Sequence, residues 1–175
     1  MNRGEFLTKL SVWLALTAYT IGTGWWLAGR GRRDWEAGAR WAWTLGCAFF
    51  LAHVTCAFSY FHQWSHAAAY RETARQTAEL TGWHWGGGIY INYFFAAAWL
   101  GDVLWSWMAP ESFAHRSPRL NALWHGFFFF MIVNGAVIFV HGPMRWLGAI
   151  LCLSLAIMWV HSWRTAKAPI ADRQS

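Results

Sequence analysis

Charge is scarce in this chain. Only 13% of its 175 residues are charged, whereas 57% are hydrophobic. A water-soluble globule of this length needs more polar surface than such a composition supplies. Five stretches carry almost no charge, and each has close to the roughly 20 residues that a helix needs to cross about 30 Å of hydrocarbon. They are residues 10–28, 41–60, 87–108, 120–140 and 146–163. The sequence therefore predicts an all-α integral membrane protein, in which residues 1–175 form a single bundle of five transmembrane helices.

Cysteine motifs are also missing. Cys47, Cys56 and Cys152 all fall within the predicted spans, and the sequence contains neither a CxxC pair nor a CxxCH motif. These absences exclude a disulfide framework, a cysteine zinc site and a covalently attached haem. The run 86–88 of three glycines lacks the spacing of a phosphate-binding loop, and no HExxH motif or serine nucleophile motif occurs. The sequence thus indicates no catalytic residue, and enzymatic activity stays an open question.

The cations are spread between the spans and form no basic face. Most of them follow the first, third and fifth spans, and fewer precede the first span or follow the second and fourth. This distribution, without interleaved stacking aromatics, argues against a nucleic-acid partner. By the positive-inside rule it predicts an outside amino terminus and a cytoplasmic carboxyl terminus. The expected partners are the lipid bilayer and either helices of other chains or further copies of this chain.

Tryptophan, in contrast, is abundant. The chain has 16 tryptophans, and many of them lie near the ends of the predicted spans. Amphipathic indole rings favour the headgroup level of a membrane, where they anchor helix ends. The tryptophans therefore support the same five spans.

The longest segment between spans is the predicted extramembrane helical loop 61–82. It lacks proline and, before its last residue, glycine, and Arg75 and Glu79 have the spacing of four that suits a helix surface. We therefore predict that the second span extends as one helix to about Thr81. On that helix small and polar residues would recur at every third or fourth position, which is typical of a seam packed on another helix. They are Thr55, Ser59, His62, His66, Tyr70, Thr73 and Thr77.

Histidines near the outer half of the predicted bundle suggest a metal or haem site. On a continuous helix His62 and His66 would lie one turn apart on the same face, so that both imidazoles would point at one metal ion. His53, His84 or His141 would complete the ligand set. The absence of a CxxC motif means that any metal site here would be dominated by histidine.

The inner half contains a second candidate site. His125 and His161 lie at similar distances from the turn at Gly142 and Pro143, and depth-matched histidines on neighbouring helices suit axial coordination of a haem. Asp102 is the one formal charge inside the spans. A carboxylate at this depth costs on the order of 2.5 to 3.5 kcal/mol on insertion scales, so it should face the bundle interior with a partner. We expect Asp102 to act as a proton relay or in an ion pair, with His125 and His161 as candidate partners.

These patterns leave two functional hypotheses. The first is a small redox or metal-handling membrane subunit with non-covalent haem b or a transition metal held by the histidines. The alternative is a non-catalytic accessory or assembly subunit of a larger membrane complex, whose polar stripes pack on partner helices. A visible spectrum and elemental analysis of the purified protein would distinguish the two.

Overall fold

The structure, a computed structural model, describes residues 2–28, 33–140 and 142–167, and all regular secondary structure in these residues is helical. This confirms the predicted all-α fold class. The elements in chain order are α1 (Arg3–Ala28), α2 (Arg33–Tyr60), α3 (His66–Thr81), α4 (Gly88–Met108), α5 (Pro110–Ala114), α6 (Pro118–Val133), a π-helical turn (Asn134–Ile138) and α7 (Met144–Lys167).

Among the described residues, three segments are long and apolar enough to cross a membrane. They are Glu36–Tyr60 in α2, Pro118–Ile138 in α6 with its π-helical turn, and Met144–Ser162 in α7. Large apolar side chains such as Ile150, Leu153 and Ile157 of α7 are exposed on the protein surface. An extensive apolar surface marks contact with lipid or with another protein. The chain is thus an integral membrane protein with at least three membrane-length apolar helices, and the predicted total of five spans is not confirmed.

The core of the bundle is aromatic and joins four helices. Tyr19 of α1 stacks on Phe128 of α6, with ring centroids 5.8 Å apart, and also contacts Trp43 of α2 at 5.5 Å. Trp99 of α4 lies 5.0 Å from Phe128 and 5.4 Å from Trp43. Such ring pairs each contribute roughly 0.5 to 1.5 kcal/mol beyond the burial of their surface. This cluster therefore holds α1, α2, α4 and α6 in a defined arrangement.

The prediction of one continuous helix through to Thr81 is wrong. α2 ends at Tyr60, and Gln63 and Trp64 have φ angles of 48° and 58°. Left-handed backbone costs roughly 1 to 2 kcal/mol per residue for residues other than glycine, so a helix cannot pass through this turn. α3 then begins anew at His66, where the Ser65 hydroxyl accepts a hydrogen bond from the Ala68 N–H. Only 66–81 of the predicted loop helix is correct.

This break also divides the predicted polar stripe. Thr55 and Ser59 belong to α2, whereas Thr73 and Thr77 belong to the separate helix α3. Periodicity along one helix therefore does not place these residues on a common face. The side chains of α3 take a different role, because Thr73 and Thr77 line a cavity.

Candidate functional site

A cavity of about 600 Å³ lies between α1, α2, α3, α4, α6 and the π-helical turn, and we refer to it as the large cavity. Most of its wall is apolar, with Leu16 of α1, Phe50 of α2, Phe95 of α4 and Ile132 of α6 among the lining residues. The lining also includes exposed residues such as Phe139, so the cavity reaches the protein surface. Its volume falls in the range of about 300 to 1,000 Å³ typical of small-molecule and cofactor sites.

One face of α3 gives the large cavity a polar rim. Glu72 and Gln76 line the cavity together with Thr73 and Thr77. The Glu72 carboxylate accepts hydrogen bonds from Arg75, at 2.6 and 2.9 Å, and from the Gln76 amide at 2.8 Å. The hydrogen bonds from Arg75 lower the pKa of the Glu72 carboxyl below its ordinary value. Glu72 is therefore ionised at neutral pH and gives the rim an acidic group.

A basic group also lies at the rim. Lys9 of α1 also lines the cavity, and its ammonium group forms an ion pair with Glu5 at 2.5 Å. His62, from the turn after α2, is a further lining residue. The large cavity thus combines an apolar interior with a rim that holds groups of both charge signs.

His53 is the lining residue with the clearest potential for coordination. Its Nδ1 lies 2.9 Å from the backbone carbonyl oxygen of Thr8. A carbonyl can only accept a hydrogen bond, so Nδ1 carries the proton, and in the neutral ring the lone pair is on Nε2. Histidines that bind metals usually donate their other ring N–H in this way to a carboxylate or backbone carbonyl. The contact with Thr8 fixes the tautomer that coordination through Nε2 requires.

Two backbone irregularities occur at the same cavity. The π-helical turn, in which the Phe139 N–H donates to the Asn134 carbonyl at 3.0 Å, supplies several lining residues. The left-handed turn at Gln63 and Trp64 directly follows the lining residue His62. π-helical turns and strained non-glycine backbone both occur preferentially at functional sites. Their joint presence supports the large cavity as the functional site.

The predicted pairing of His62 with His66 loses its structural basis. The two residues lie on opposite sides of the left-handed turn, so they are not one helical turn apart. The His66 ring is exposed and lies within hydrogen-bonding distance of the hydroxyls of Tyr93 and Tyr90, at 2.9 and 3.3 Å. Within 2–28, 33–140 and 142–167, no three His, Cys, Asp or Glu residues are grouped to hold a metal ion. A transition-metal site thus remains a prediction.

Of the remaining two histidines of the predicted outer site, His84 lies within the described residues, and it does not line the large cavity. His84 is exposed in the connection between α3 and α4. His141 lies outside the described residues. Of the five predicted outer histidines, the large cavity brings together His53 and His62.

Asp102 is buried with a charged partner, but the partner is Arg116. The carboxylate and guanidinium are 2.5 Å apart, and their side chains are only 2% and 6% exposed. Arg116 lies between α5 and α6, and its guanidinium also packs 4.5 Å from the centroid of the Phe113 ring. In the sequence, Arg116 is only one of the cations that follow the third predicted span. The spacing of residues along one helix does not predict the contact between Arg116 and Asp102, because Arg116 reaches α4 only after the chain folds back at α5.

The two predicted inner histidines have different surroundings. His125 is packed among indole rings, with centroids 5.0 Å from Trp159, 5.3 Å from Trp26 and 5.8 Å from Trp43. His161 of α7 is exposed on the protein surface. Equal depth in two helices therefore does not by itself place two side chains in one site.

The fold and the cavity define the class of the protein as an integral membrane protein with an internal space large enough for a cofactor. No family model, curated protein or solved structure matches this chain. Its function must be inferred from its own residues.

Proposed function

We propose that this protein is a redox membrane subunit of five transmembrane helices that binds non-covalent haem b in the large cavity. The two further spans would be α1, with 26 residues, and α4, with 21 residues. At 1.5 Å per residue these helices are about 39 and 32 Å long, which is enough to cross the hydrocarbon layer. The distribution of cations favours an outside amino terminus and a cytoplasmic carboxyl terminus.

The observation that carries the haem proposal is the hydrogen bond from His53 to the Thr8 carbonyl. It leaves Nε2 as the basic nitrogen of a ring that lines the cavity. Axial coordination of haem iron by histidine needs such a neutral imidazole, held in a fixed orientation. His53 would be this axial ligand.

The shape and polarity of the large cavity support the same cofactor. Haem b has a wide apolar ring system and two carboxylates at one edge. The aromatic side chains of Phe50, Phe95 and Trp99 offer surfaces for the ring system. Lys9 and His62 at the rim would face the carboxylates, and the hydroxyls and amide of α3 would add hydrogen bonds.

Replacement of His53 by Ala tests the proposal. The full chain, purified in mild detergent, should show a Soret band and about one iron per chain, and His53→Ala should lose most of both because the axial bond is lost. His84→Ala is the matched control, since it removes an exposed histidine outside the described cavity wall. A His53→Gly variant should regain the band when free imidazole is added, which would separate lost ligation from misfolding.

A colourless, iron-free wild-type protein would overturn the haem proposal. If that protein eluted with other chains, the result would support the accessory-subunit function. One observation favours this second candidate: Thr55 and Ser59, polar residues one turn apart on α2, are exposed on the surface of the described chain. Polar side chains in lipid usually pack against another helix, which would here belong to a partner or a second copy.

A further inference from the structure

We propose that the junction of α2 and α4 binds the phosphate group of a phospholipid, with Arg40 as the residue that recognises the phosphate. Trp41, Thr44 and Trp107 complete the site, and we refer to these four residues as the Arg40 site. None of the four lines the large cavity. The Arg40 site is therefore separate from the proposed haem site, and the inference does not rest on the haem proposal.

The Arg40 site lies at one end of a membrane-length helix segment. Arg40 is about one turn from the beginning of the segment Glu36–Tyr60, which is long and apolar enough to cross a membrane. At 1.5 Å per residue, the 25 residues of this segment measure about 38 Å, which exceeds the roughly 30 Å of hydrocarbon. Its ends therefore extend into the headgroup region, where the phosphate groups of phospholipids lie. A long arginine side chain reaches that level from one turn inside the segment.

The indole ring of Trp107 is held in place and supports the Arg40 guanidinium. Trp107 Nε1 donates a hydrogen bond of 2.9 Å to the Thr44 hydroxyl oxygen, and the Thr44 hydroxyl donates to the Arg40 backbone carbonyl at 2.8 Å. The ring of Trp41 packs edge-on against that of Trp107, with centroids 4.9 Å apart. The central carbon of the Arg40 guanidinium lies 5.4 Å from the Trp107 ring centroid, within the range of a cation–π contact. The packing of α4 on α2 thus gives one cation a defined position.

The Arg40 guanidinium forms no ion pair with a carboxylate among the residues that the structure describes, although Glu36 lies one turn earlier on α2. The N–H groups of a guanidinium lie in its plane, so a contact between its face and an indole ring leaves them available for hydrogen bonds. Two of these N–H groups match two oxygens of a phosphate, and such charge-assisted pairs are strong. Arg116 differs, because Asp102 already pairs with it. Arg40 therefore offers a phosphate a set of donors that no described residue uses.

The surface next to the Arg40 site is apolar and open, which favours a phospholipid over a soluble anion. Leu45 of α2 and Leu104 of α4 each lie about one turn inward from the tryptophan of the same helix, and both are 49% exposed. Trp41 and Trp107 are themselves 58% and 41% exposed, and indole rings favour the headgroup level. The acyl chains of a phospholipid would lie along the two leucines while its phosphate contacts Arg40. An inorganic anion would gain nothing from the apolar part of this surface.

Native mass spectrometry of the full chain, released from detergent micelles, tests this inference with dioleoyl phosphatidylglycerol as the probe. Arg40→Gln should weaken the tightest lipid-binding event by about tenfold, because it removes charge-assisted hydrogen bonds to the phosphate. Arg119→Gln is the matched control, since it removes an exposed arginine at the beginning of α6 and should leave the affinity unchanged. Equal affinities of Arg40→Gln and the wild-type chain would overturn the proposal.

Replacement of Trp107 gives a second readout that keeps the charge of Arg40, and it also serves if Arg40→Gln fails to fold. Trp107→Leu removes both the ring beside the guanidinium and the hydrogen bond to Thr44. It should weaken the same binding event by about two- to fivefold. Trp83→Leu, which removes an exposed tryptophan of the α3 to α4 connection, is the control and should have no effect. Unchanged affinity in Trp107→Leu would contradict the proposed site.

Two further ligands identify the group that Arg40 recognises. Dioleoyl glycerol has the same acyl chains without a phosphate, so it should bind more weakly than the phospholipid and equally to the wild-type chain and Arg40→Gln. Equal affinity of the wild-type chain for both lipids would reject phosphate recognition. Inorganic phosphate should not displace the phospholipid, and displacement would assign the site to a soluble anion. If Arg40→Gln releases a bound protein chain and leaves lipid binding unchanged, the site belongs to a protein partner and the lipid assignment is wrong.

Discussion

At the residue scale, Asp102 shows how a charge is accommodated inside the helical bundle. Its carboxylate is buried in α4, where an unpaired charge would be costly. Arg116 reaches it from the connection between α5 and α6 and is itself covered by the ring of Phe113. Each side chain of the pair neutralises the buried charge of the other. The ion pair also holds the 109–117 segment against α4. A buried ion pair of this kind adds little net stability over apolar residues, but the loss of one partner is severe.

The first stability prediction concerns this pair. Asp102→Asn should lower the free energy of unfolding by about 3 to 5 kcal/mol, because it leaves the Arg116 guanidinium buried without a counter-charge. The measurement is denaturant unfolding in mixed micelles. Glu111→Gln, which removes an exposed carboxylate of α5, is the control and should change the free energy by less than about 0.5 kcal/mol. Equal stability of the two variants would show that the pair does not hold the fold.

At the scale of elements, the π-helical turn and α7 depend on a close approach of backbones. A Cβ atom at Gly148 of α7 would overlap the backbone carbonyl of Ala136 in the π-helical turn. The turn also lines the large cavity, so the packing of α7 and the shape of the cavity are coupled. A side chain at position 148 would push the two elements apart, because backbone atoms cannot rotate away as a flexible side chain can.

The second stability prediction concerns the contact between α7 and the π-helical turn, and it compares the effect of alanine at two helical glycines. Gly148→Ala should destabilise the protein by about 1 to 3 kcal/mol through overpacking. Gly126→Ala in α6 meets no atom within 4 Å and should be neutral or more stable by up to about 1 kcal/mol, because alanine favours a helix. Thermal unfolding in detergent measures both changes. A Gly148→Ala variant as stable as Gly126→Ala would show that α7 does not pack closely on the π-helical turn.

At the scale of the whole molecule, the question is which helices cross the membrane. Three segments meet the criteria of length and apolar composition, and α1 and α4 complete the proposed five. Whether α4 crosses the membrane is the most informative test of this topology, because α4 separates the α3 to α4 connection from the α5 to α6 connection. If α4 spans the bilayer, these two connections lie on opposite sides of the membrane.

Cysteine labelling in intact cells tests this topology. In a chain whose three native cysteines are replaced by alanine, His84→Cys should react with a membrane-impermeant maleimide, because the proposed topology puts the α3 to α4 connection outside. His115→Cys should react only after the cells are opened. Both histidines are exposed, so accessibility within the protein does not limit either reaction. Labelling of both positions from the same side would contradict the five-span topology.

The candidate site was predictable only in part. Position and residue type single out His53 and Asp102, because a histidine in the outer half of a span and a carboxylate in an apolar stretch are unusual in lipid. Their partners, Thr8 and Arg116, are respectively 45 and 14 residues away. The sequence does not predict the break after Tyr60, because neither Gln63 nor Trp64 is a residue that typically ends a helix. Local preferences cannot report contacts that depend on how distant segments fold together.

The sequence by itself determined the helical fold class and the membrane location, because backbone hydrogen bonds must be satisfied inside lipid and long apolar stretches achieve this as helices. The tertiary structure alone decided that α2 and α3 are separate helices, that a cavity with His53 in its wall opens beside α3, and that Arg116 pairs with Asp102. The physical reason is that apolar length and periodicity are local properties of the chain, whereas the meeting of polar groups depends on turns and on the packing of helices far apart in sequence.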